Sequence, residues 1–148
     1  MPGSVRSNTR SWHRTNELSQ RLETIPGIGV ITASALAATI PDPGSFRSGR
    51  HLAAWIGLVP RQSGTGGKVR LGHISKQGDR YLRRLLVLGA CTLMRHARGR
   101  TSLLAAWINA LLARRPAGVV KTAIANKLAR IAWAVLKDSR GYQAPAAA

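Results

Sequence analysis

The segment Pro60–Arg84, PRQSGTGGKVRLGHISKQGDRYLRR, lies between two apolar, helix-patterned parts of this 148-residue chain. Gly64, Gly66 and Gly67 allow the backbone to come close to a ligand and to point N–H groups at it. Hydroxyl and basic residues surround these glycines, namely Ser63, Thr65, Ser75, Lys68, Arg70, Lys76, Arg80, Arg83 and Arg84. Because such groups bind phosphate, the segment predicts a phosphate-binding surface. A plain solvated turn is the alternative interpretation.

The glycine spacing differs from that of a nucleotide-binding P-loop. That motif has four residues between its glycines and a Ser or Thr after its Lys, whereas Val69 follows Lys68 here. Nucleotide hydrolysis is therefore not expected. The only strand prediction is a small hairpin around the glycines, formed by residues 58–61 and 68–74.

The charge balance indicates a polyanionic partner. Twenty-three Lys and Arg residues stand against five Asp and Glu residues, which gives a formal net charge of +18. A surface of this kind repels itself unless a polyanion neutralises it, so nucleic acid is the expected partner. Arg greatly outnumbers Lys, which suits bidentate phosphate contacts, although a genome rich in G and C also favours Arg codons.

Membrane insertion and metal binding are both disfavoured. No apolar run is long enough to span a bilayer and the N-terminus lacks an apolar signal core, so we expect a cytoplasmic protein with no membrane partner. Cys91 is the only cysteine, which excludes an internal disulfide and a cysteine-based zinc site. The carboxylates are Glu17, Glu23, Asp42, Asp79 and Asp138, too few and too dispersed for a two-metal site. We expect no metal site and no cofactor in this chain.

Upstream of the basic segment, residues 23–40 read ETIPGIGVITASALAATI. Pro26, Gly27, Ile28 and Gly29 separate two helical patterns and resemble the hairpin of a helix-hairpin-helix motif. That resemblance implies that N–H groups at the start of the second helix hold a DNA phosphate without reading sequence. An ordinary Pro-Gly turn between helices is the alternative.

The rest of the chain is predicted to be helical, which gives an all-α domain over residues 16–140, with the helix-hairpin-helix at residues 18–40 followed by a small helical bundle. Residues 1–15 are predicted to be a disordered basic arm or the remnant of a linker helix, and residues 141–148 a disordered tail. Gly78 and Asp79 open a long helix whose first turns carry Arg80, Arg83 and Arg84. Arginines at the positive end of a helix are locally unfavourable unless an anion binds there, while three solvated arginines are the other interpretation.

The order of three segments resembles the C-terminal transposase domain of the IS110 family of bacterial insertion-sequence transposases. The segments are ETIPGIGVITASALAATI, SGRHLAAWIGLVPRQSGTGGKVRLGHISKQGDRYLRRLL and KTAIANKLARIAWAVLKD, and the likeness covers about residues 18–142. It implies DNA transposition through a serine nucleophile, completed by an N-terminal domain that holds Mg²⁺. It also implies a guide RNA and a homo-oligomeric active complex. We therefore expect this chain to be half of an enzyme, inactive alone.

The resemblance assigns the nucleophile to the glycine-rich segment, where three hydroxyls compete. Ser63 is the first candidate, Thr65 the second because its methyl group hinders attack, and Ser75 the third because it suits the start of the following helix. Counted from Pro60, the usual serine position of the family falls on Gly64, so the register stays open. The rival functions are a non-enzymatic helix-hairpin-helix module that binds DNA without sequence preference and a basic RNA-associated protein.

Overall fold

In a computed structural model, residues 2–40, 42–65, 68–74, 78–138 and 140–144 are described, with residues 2–7 and the strand residues before Ile74 described by their backbone alone. The helices are α1 (Pro2–Thr15), α2 (Glu17–Glu23), α3 (Val30–Thr39), α4 (Gly49–Ile56), α5 (Arg80–Ala97), α6 (Leu103–Leu112) and α7 (Ala117–Lys137). A 3-10 turn spans Pro43–Ser45. The domain is all-α, as the sequence predicts.

Two antiparallel strands form a ribbon between α4 and α5. They are β1 (Pro60–Thr65) and β2 (Lys68–Ile74), paired so that Ser63 lies opposite Arg70 and Thr65 opposite Lys68. The pairing shifts register between Pro60 and Gln62. The first strand begins and ends later than the predicted span of 58–61.

The core forms where α5 and α4 pack on the central α7. Its largest buried side chains come from every helix between α2 and α7 and from the adjoining turns: Leu22, Ile25, Leu36, Ile40, Leu52, Ile56, Leu58, Leu82, Leu86, Ile108, Ile124 and Leu128. These residues recur at three- and four-residue spacing, which is why the sequence pattern predicts the helices correctly. Trp55 lies outside this core, because it is 42% exposed and makes an edge contact with Phe46.

Short polar residues fix the helix starts. The side chains of Asn16, Ser48, Asp79 and Ser102 each accept a hydrogen bond from a backbone N–H in the first turn of α2, α4, α5 and α6 respectively. Such capping satisfies donors that have no partner within the helix.

Both ends of the chain contact α2. Residues 2–15 form a helix rather than a disordered arm, and His13 of this helix lies 2.6 Å from Ser19 Oγ and 2.7 Å from Glu23 Oε2. Residues 145–148 of the predicted disordered tail lie outside the described residues. The Tyr142 N–H donates to Thr24 Oγ1 at 2.7 Å, so residues 141–144 lie against the α2 end. The Arg21 guanidinium donates to the Asp138 carbonyl nearby. Within the described residues, no helix is both long enough and apolar enough to cross a membrane.

Candidate nucleic-acid interface

The turn between α2 and α3 is anchored in the core by its apolar residues. Ile25 and Ile28 are 1% and 4% exposed, and the Ile28 N–H donates to the Ile25 carbonyl at 3.1 Å. Gly27 has a φ of 85°, a conformation that favours glycine. The turn therefore has a defined shape set by its own sequence. Its assignment as a helix-hairpin-helix stays a prediction.

One side of this turn is filled by α5. A Cβ on Gly27 would lie 3.0 Å from the Leu93 side chain, and a Cβ on Gly89 would lie 2.3 Å from the Gly27 carbonyl oxygen. The backbones of the turn and of α5 thus approach at a point where both residues are glycine. In this contact Gly27 packs against α5. The packing sets the position of the turn relative to the arginines of α5.

The other side of the turn is open. Gly29 precedes α3 in an extended conformation and forms no side-chain cap, and no described atom lies within 4 Å of the position that a Cβ would occupy. The free N–H groups and the positive dipole of a helix start favour an anion. A depression of about 480 Å³ adjoins this start, lined by Thr9, Arg10, Gly29, Val30, Ile31, Thr32 and Tyr81. Residues of α1, α3 and α5 therefore meet around the open side.

The three arginines in the first turns of α5 do not share one environment. Arg80 and Arg84 are exposed. Arg83 is half-buried and its Nη1 donates to the Ile56 carbonyl oxygen at 3.1 Å, at the C-terminal end of α4. The Asp79 carboxylate accepts from the Leu82 N–H at 3.0 Å, as expected of a helix cap. Arg80 and Arg84 present charge to solvent, whereas Arg83 joins two helices.

The ribbon brings hydroxyl and basic positions together by register. Ser63 pairs with Arg70, Thr65 with Lys68, and Gly64 with Val69. Since directly opposed residues and alternate residues share a face, the Ser63, Thr65, Lys68 and Arg70 positions share one face of the ribbon. Gly66, Gly67, Ser75 and Lys76, also predicted here, lie outside the described residues.

The described carboxylates are dispersed. Glu23 contacts His13 at 2.7 Å, Asp42 accepts from the Gly44 N–H at 2.9 Å, and Asp138 pairs with Arg140 at 3.3 Å. Over the described ranges, no three His, Cys, Asp or Glu residues come together in a way that could hold a metal ion. The donor set in this part of the chain does not fit a Mg²⁺ cluster.

Sequence reasoning missed the polar cluster that holds α1 in place. His13 Nδ1 lies 2.6 Å from Ser19 Oγ, and Ser19 Oγ lies 3.2 Å from Ser34 Oγ. All three side chains are buried, and His13 Nε2 also contacts Glu23. The only signal was the pair Trp12-His13, two ring side chains in an otherwise polar stretch. The cluster places Trp12 and Arg10 next to α3.

Comparison with known proteins gives the family. The chain matches the Transposase IS116/IS110/IS902 family over residues 19–107. It is 53% identical over 124 residues to a probable family 20 transposase of Pseudomonas aeruginosa, covering 84% of this chain and 37% of the relative. It is 49% identical over 132 residues to the putative transposase y4pF/y4sB of Sinorhizobium fredii, covering 88% and 34%.

A relative of lower sequence identity is not named as a transposase. The chain is 32% identical over 133 residues to the pilin gene-inverting protein of Moraxella bovis, covering 86% of this chain and 40% of the relative. The chain spans two fifths or less of these three relatives. Because the family match extends over more than half of its residues, the chain belongs to the IS116/IS110/IS902 family of transposases.

Proposed function

We propose that this chain is a DNA-binding and strand-exchange domain of an insertion-sequence transposase. The observation that carries the proposal is the surface on which the open start of α3, Arg10 of α1 and the first turn of α5 meet. Membership of a transposase family makes DNA the expected polyanion, and the name of the gene-inverting relative agrees with it.

The proposed contact is to the phosphate backbone. The α3 start offers N–H groups on the side of Gly29 that is open, and Arg10, Arg80 and Arg84 are exposed. These groups bind phosphate and carry no information about base sequence. The chain is therefore expected to bind DNA of any sequence, with an affinity set by charge.

The chemical step is proposed to use a hydroxyl of the ribbon. Ser63 is the first candidate, because its position lies opposite Arg70 and shares a face with Lys68, where a cation would hold the phosphate. Thr65 lies on the same face and Ser75 is third. In the step, a bond forms between the serine oxygen and phosphorus while a bond from phosphorus to a deoxyribose oxygen breaks. The serine proton passes through water or a base to that leaving oxygen.

The hydroxyl is weak as a nucleophile without activation, and the described donors do not fit a metal cluster. We therefore propose that a domain holding Mg²⁺ supplies the metal, which would polarise the phosphate and activate the hydroxyl. A guide RNA and a homo-oligomer are further partners proposed from the family resemblance. Alone, this chain is expected to bind DNA without cleaving it.

The binding proposal is tested by fluorescence anisotropy with duplexes of two unrelated sequences. Affinities for the two duplexes are expected to agree, and the logarithm of affinity should fall linearly and steeply with the logarithm of salt concentration. Binding that is independent of salt, or confined to one sequence, would overturn the proposal. Binding with no cleavage when Mg²⁺ and a metal-bearing domain are both supplied would favour the non-enzymatic DNA-binding module.

The nucleophile is tested by adding the metal-bearing domain in trans, trapping the protein–DNA adduct and mapping the modified residue by mass spectrometry. Attachment at Ser63, lost in Ser63→Ala, is the expected result. An adduct that survives Ser63→Ala but disappears in Thr65→Val would move the nucleophile to Thr65. Attachment at Ser75 would exclude both residues of the ribbon.

A further inference from the structure

A groove on the outside of the molecule joins residues from three helices. Trp12 of α1 and Tyr81 of α5 lie around Ile31, Ala35 and Ala38 of α3, and the groove has a volume of about 360 Å³. We call it the Trp12–Tyr81 groove. Its volume falls within the range of roughly 300–1,000 Å³ that is typical of ligand sites.

The three largest side chains that line the groove are more exposed to solvent than aromatic and aliphatic side chains usually are. Trp12 is 38% exposed, Ile31 50% and Tyr81 56%. Single exposed apolar residues are common, but an aromatic pair grouped with an aliphatic residue indicates a surface that a partner covers. The small side chains of Ala35 and Ala38 leave room for a flat group beside the two rings.

The charges around the groove indicate the kind of partner. Arg10 is next to Thr9, which lines the groove, while Arg80 and Arg84 flank Tyr81 on α5, and all three arginines are exposed. Among the described residues, no carboxylate lines the groove. The occupant must therefore combine flat, apolar surface with negative charge. An unpaired nucleotide does so, since its base has two apolar faces and its phosphate is an anion.

We propose that the Trp12–Tyr81 groove binds unpaired bases of a DNA strand, stacked against Trp12 and Tyr81, while the neighbouring arginines hold the backbone. In duplex DNA the bases stack on one another and are not available to these rings. The substrate class would then be DNA that is locally single-stranded, and this inference rests on the DNA-binding function proposed above.

The position of Trp12 is set by the buried cluster beside it. His13 is 7% exposed and contacts Ser19 Oγ at 2.6 Å, which fixes the last turns of α1 on α2. A rigid aromatic side chain loses little conformational freedom when it stacks on a base, so a fixed helix favours binding. The groove is thus built by the fold before any ligand arrives.

The test compares single-stranded oligo(dT) with a duplex of the same length, both measured by anisotropy with the full chain. Trp12→Ala and Tyr81→Ala are each expected to weaken oligo(dT) binding about ten-fold. Trp12 does not line the depression at the α3 start, so Trp12→Ala should change duplex binding by less than about two-fold. The matched control is Trp55→Ala, because Trp55 is also exposed, at 42%, but does not line the groove. That variant should change neither affinity.

A second measurement does not depend on the stability of the alanine variants. Oligo(dT) is expected to quench tryptophan fluorescence in the parent chain and in Trp55→Phe, and to quench it much less in Trp12→Phe. Equal quenching in both phenylalanine variants would overturn the proposal. So would equal loss of duplex and oligo(dT) binding in Trp12→Ala, or loss of oligo(U) binding in that variant with oligo(dT) binding unaffected.

Two other outcomes separate this inference from the proposed function. If the parent binds duplex with steep salt dependence but the groove variants bind oligo(dT) normally, only the groove assignment fails. If the parent binds neither DNA form, the proposed function fails with it. A change of oligomeric state in Tyr81→Ala on size-exclusion chromatography, with oligo(dT) binding unchanged, would assign the groove to a protein contact and overturn the inference.

Discussion

Gly27 and Gly29 belong to one short turn, yet the structure gives them opposite surroundings. Gly27 has a φ of 85°, which favours glycine, and an added Cβ would lie 3.0 Å from the Leu93 side chain and 3.2 Å from the Gly89 carbonyl oxygen. Gly29 has an extended backbone and open space around it. Gly27 therefore packs closely on α5 in a backbone conformation that favours glycine. Gly29 leaves the start of α3 accessible.

The residues of α5 likewise divide into those that pack against the protein and those that face solvent. Gly89 and the half-buried Arg83 face neighbouring elements, whereas Arg80, Tyr81 and Arg84 face solvent beside the open side of the turn. The inner residues set the position of α5 relative to α3 and α4. The outer residues are then available for a ligand. Stability and DNA binding are expected to respond to different substitutions, although the residues are adjacent in sequence.

The largest effect is expected from Gly89→Ala. In an isolated helix this change would stabilise by roughly 1 kcal/mol. Here the new methyl group would lie 2.3 Å from the Gly27 carbonyl oxygen, a backbone atom that cannot rotate away. Overpacking costs about 1–3 kcal/mol and more where backbone must move, so we expect a net loss of about 2 kcal/mol in the free energy of unfolding, measured by urea denaturation.

Gly118→Ala is the matched control for Gly89→Ala. Gly118 also lies in a helix, α7, and has nothing within 4 Å of the position of an added Cβ. Its substitution should stabilise the protein, by at most ~1 kcal/mol because the position is near the helix end. A stabilising effect at both glycines would show that the close contact of the turn with α5 is not present in solution.

Sequence patterns predict the helices because apolar residues at three- and four-residue spacing report directly on a buried face. They do not distinguish Gly27 from Gly29 or Arg83 from Arg84, because those differences depend on which distant element packs beside each residue. For the same reason the pattern did not reveal that Trp12 and Tyr81, far apart in the chain, line one groove. For residues 1–15 the polar composition leaves a disordered arm and a linker helix both open, since it does not reveal the buried contact of His13 with Ser19.

A smaller effect on stability is expected from Arg83→Ala. The guanidinium donates to the Ile56 carbonyl, which is one of the carbonyls at the end of α4 without a partner inside the helix. Hydrogen bonds from charged groups contribute about 1.5–3 kcal/mol, and the partial exposure of Arg83 favours the lower limit. We expect a loss of about 1.5 kcal/mol in the free energy of unfolding, detected by denaturant titration.

Arg84→Ala provides the comparison for Arg83→Ala. Arg84 is exposed, so its removal should change stability by less than about 0.5 kcal/mol. If Arg84 contacts a phosphate, the slope of log affinity against log salt should fall by about one. If Arg83→Ala left the free energy of unfolding unchanged, or if Arg84→Ala unfolded the protein, the two residues would not divide into a structural Arg83 and a solvent-facing Arg84.

The smallest effect, and the most selective, is expected from Gly29→Asp. Asp is a preferred residue at a helix start, and the φ of −94° with open space around Gly29 accepts a side chain without strain. The folded protein should therefore be as stable as the parent or slightly more stable. The carboxylate would nevertheless occupy the N–H groups of α3 and repel a phosphate. We expect DNA affinity to fall about five-fold, equivalent to about 1 kcal/mol, in an anisotropy titration.

Gly29→Asn distinguishes the two effects of Gly29→Asp on DNA binding, which are occupation of the α3 N–H groups and repulsion of the phosphate. Asn caps a helix about as well as Asp but carries no charge, so it occupies the same N–H groups without repelling DNA. An affinity for Gly29→Asn between those of the parent and Gly29→Asp would show that both occupancy and charge matter at this helix start. If all three proteins bind DNA equally well and melt at similar temperatures, the open side of the turn does not contact phosphate, and binding depends on the arginines and the ribbon instead.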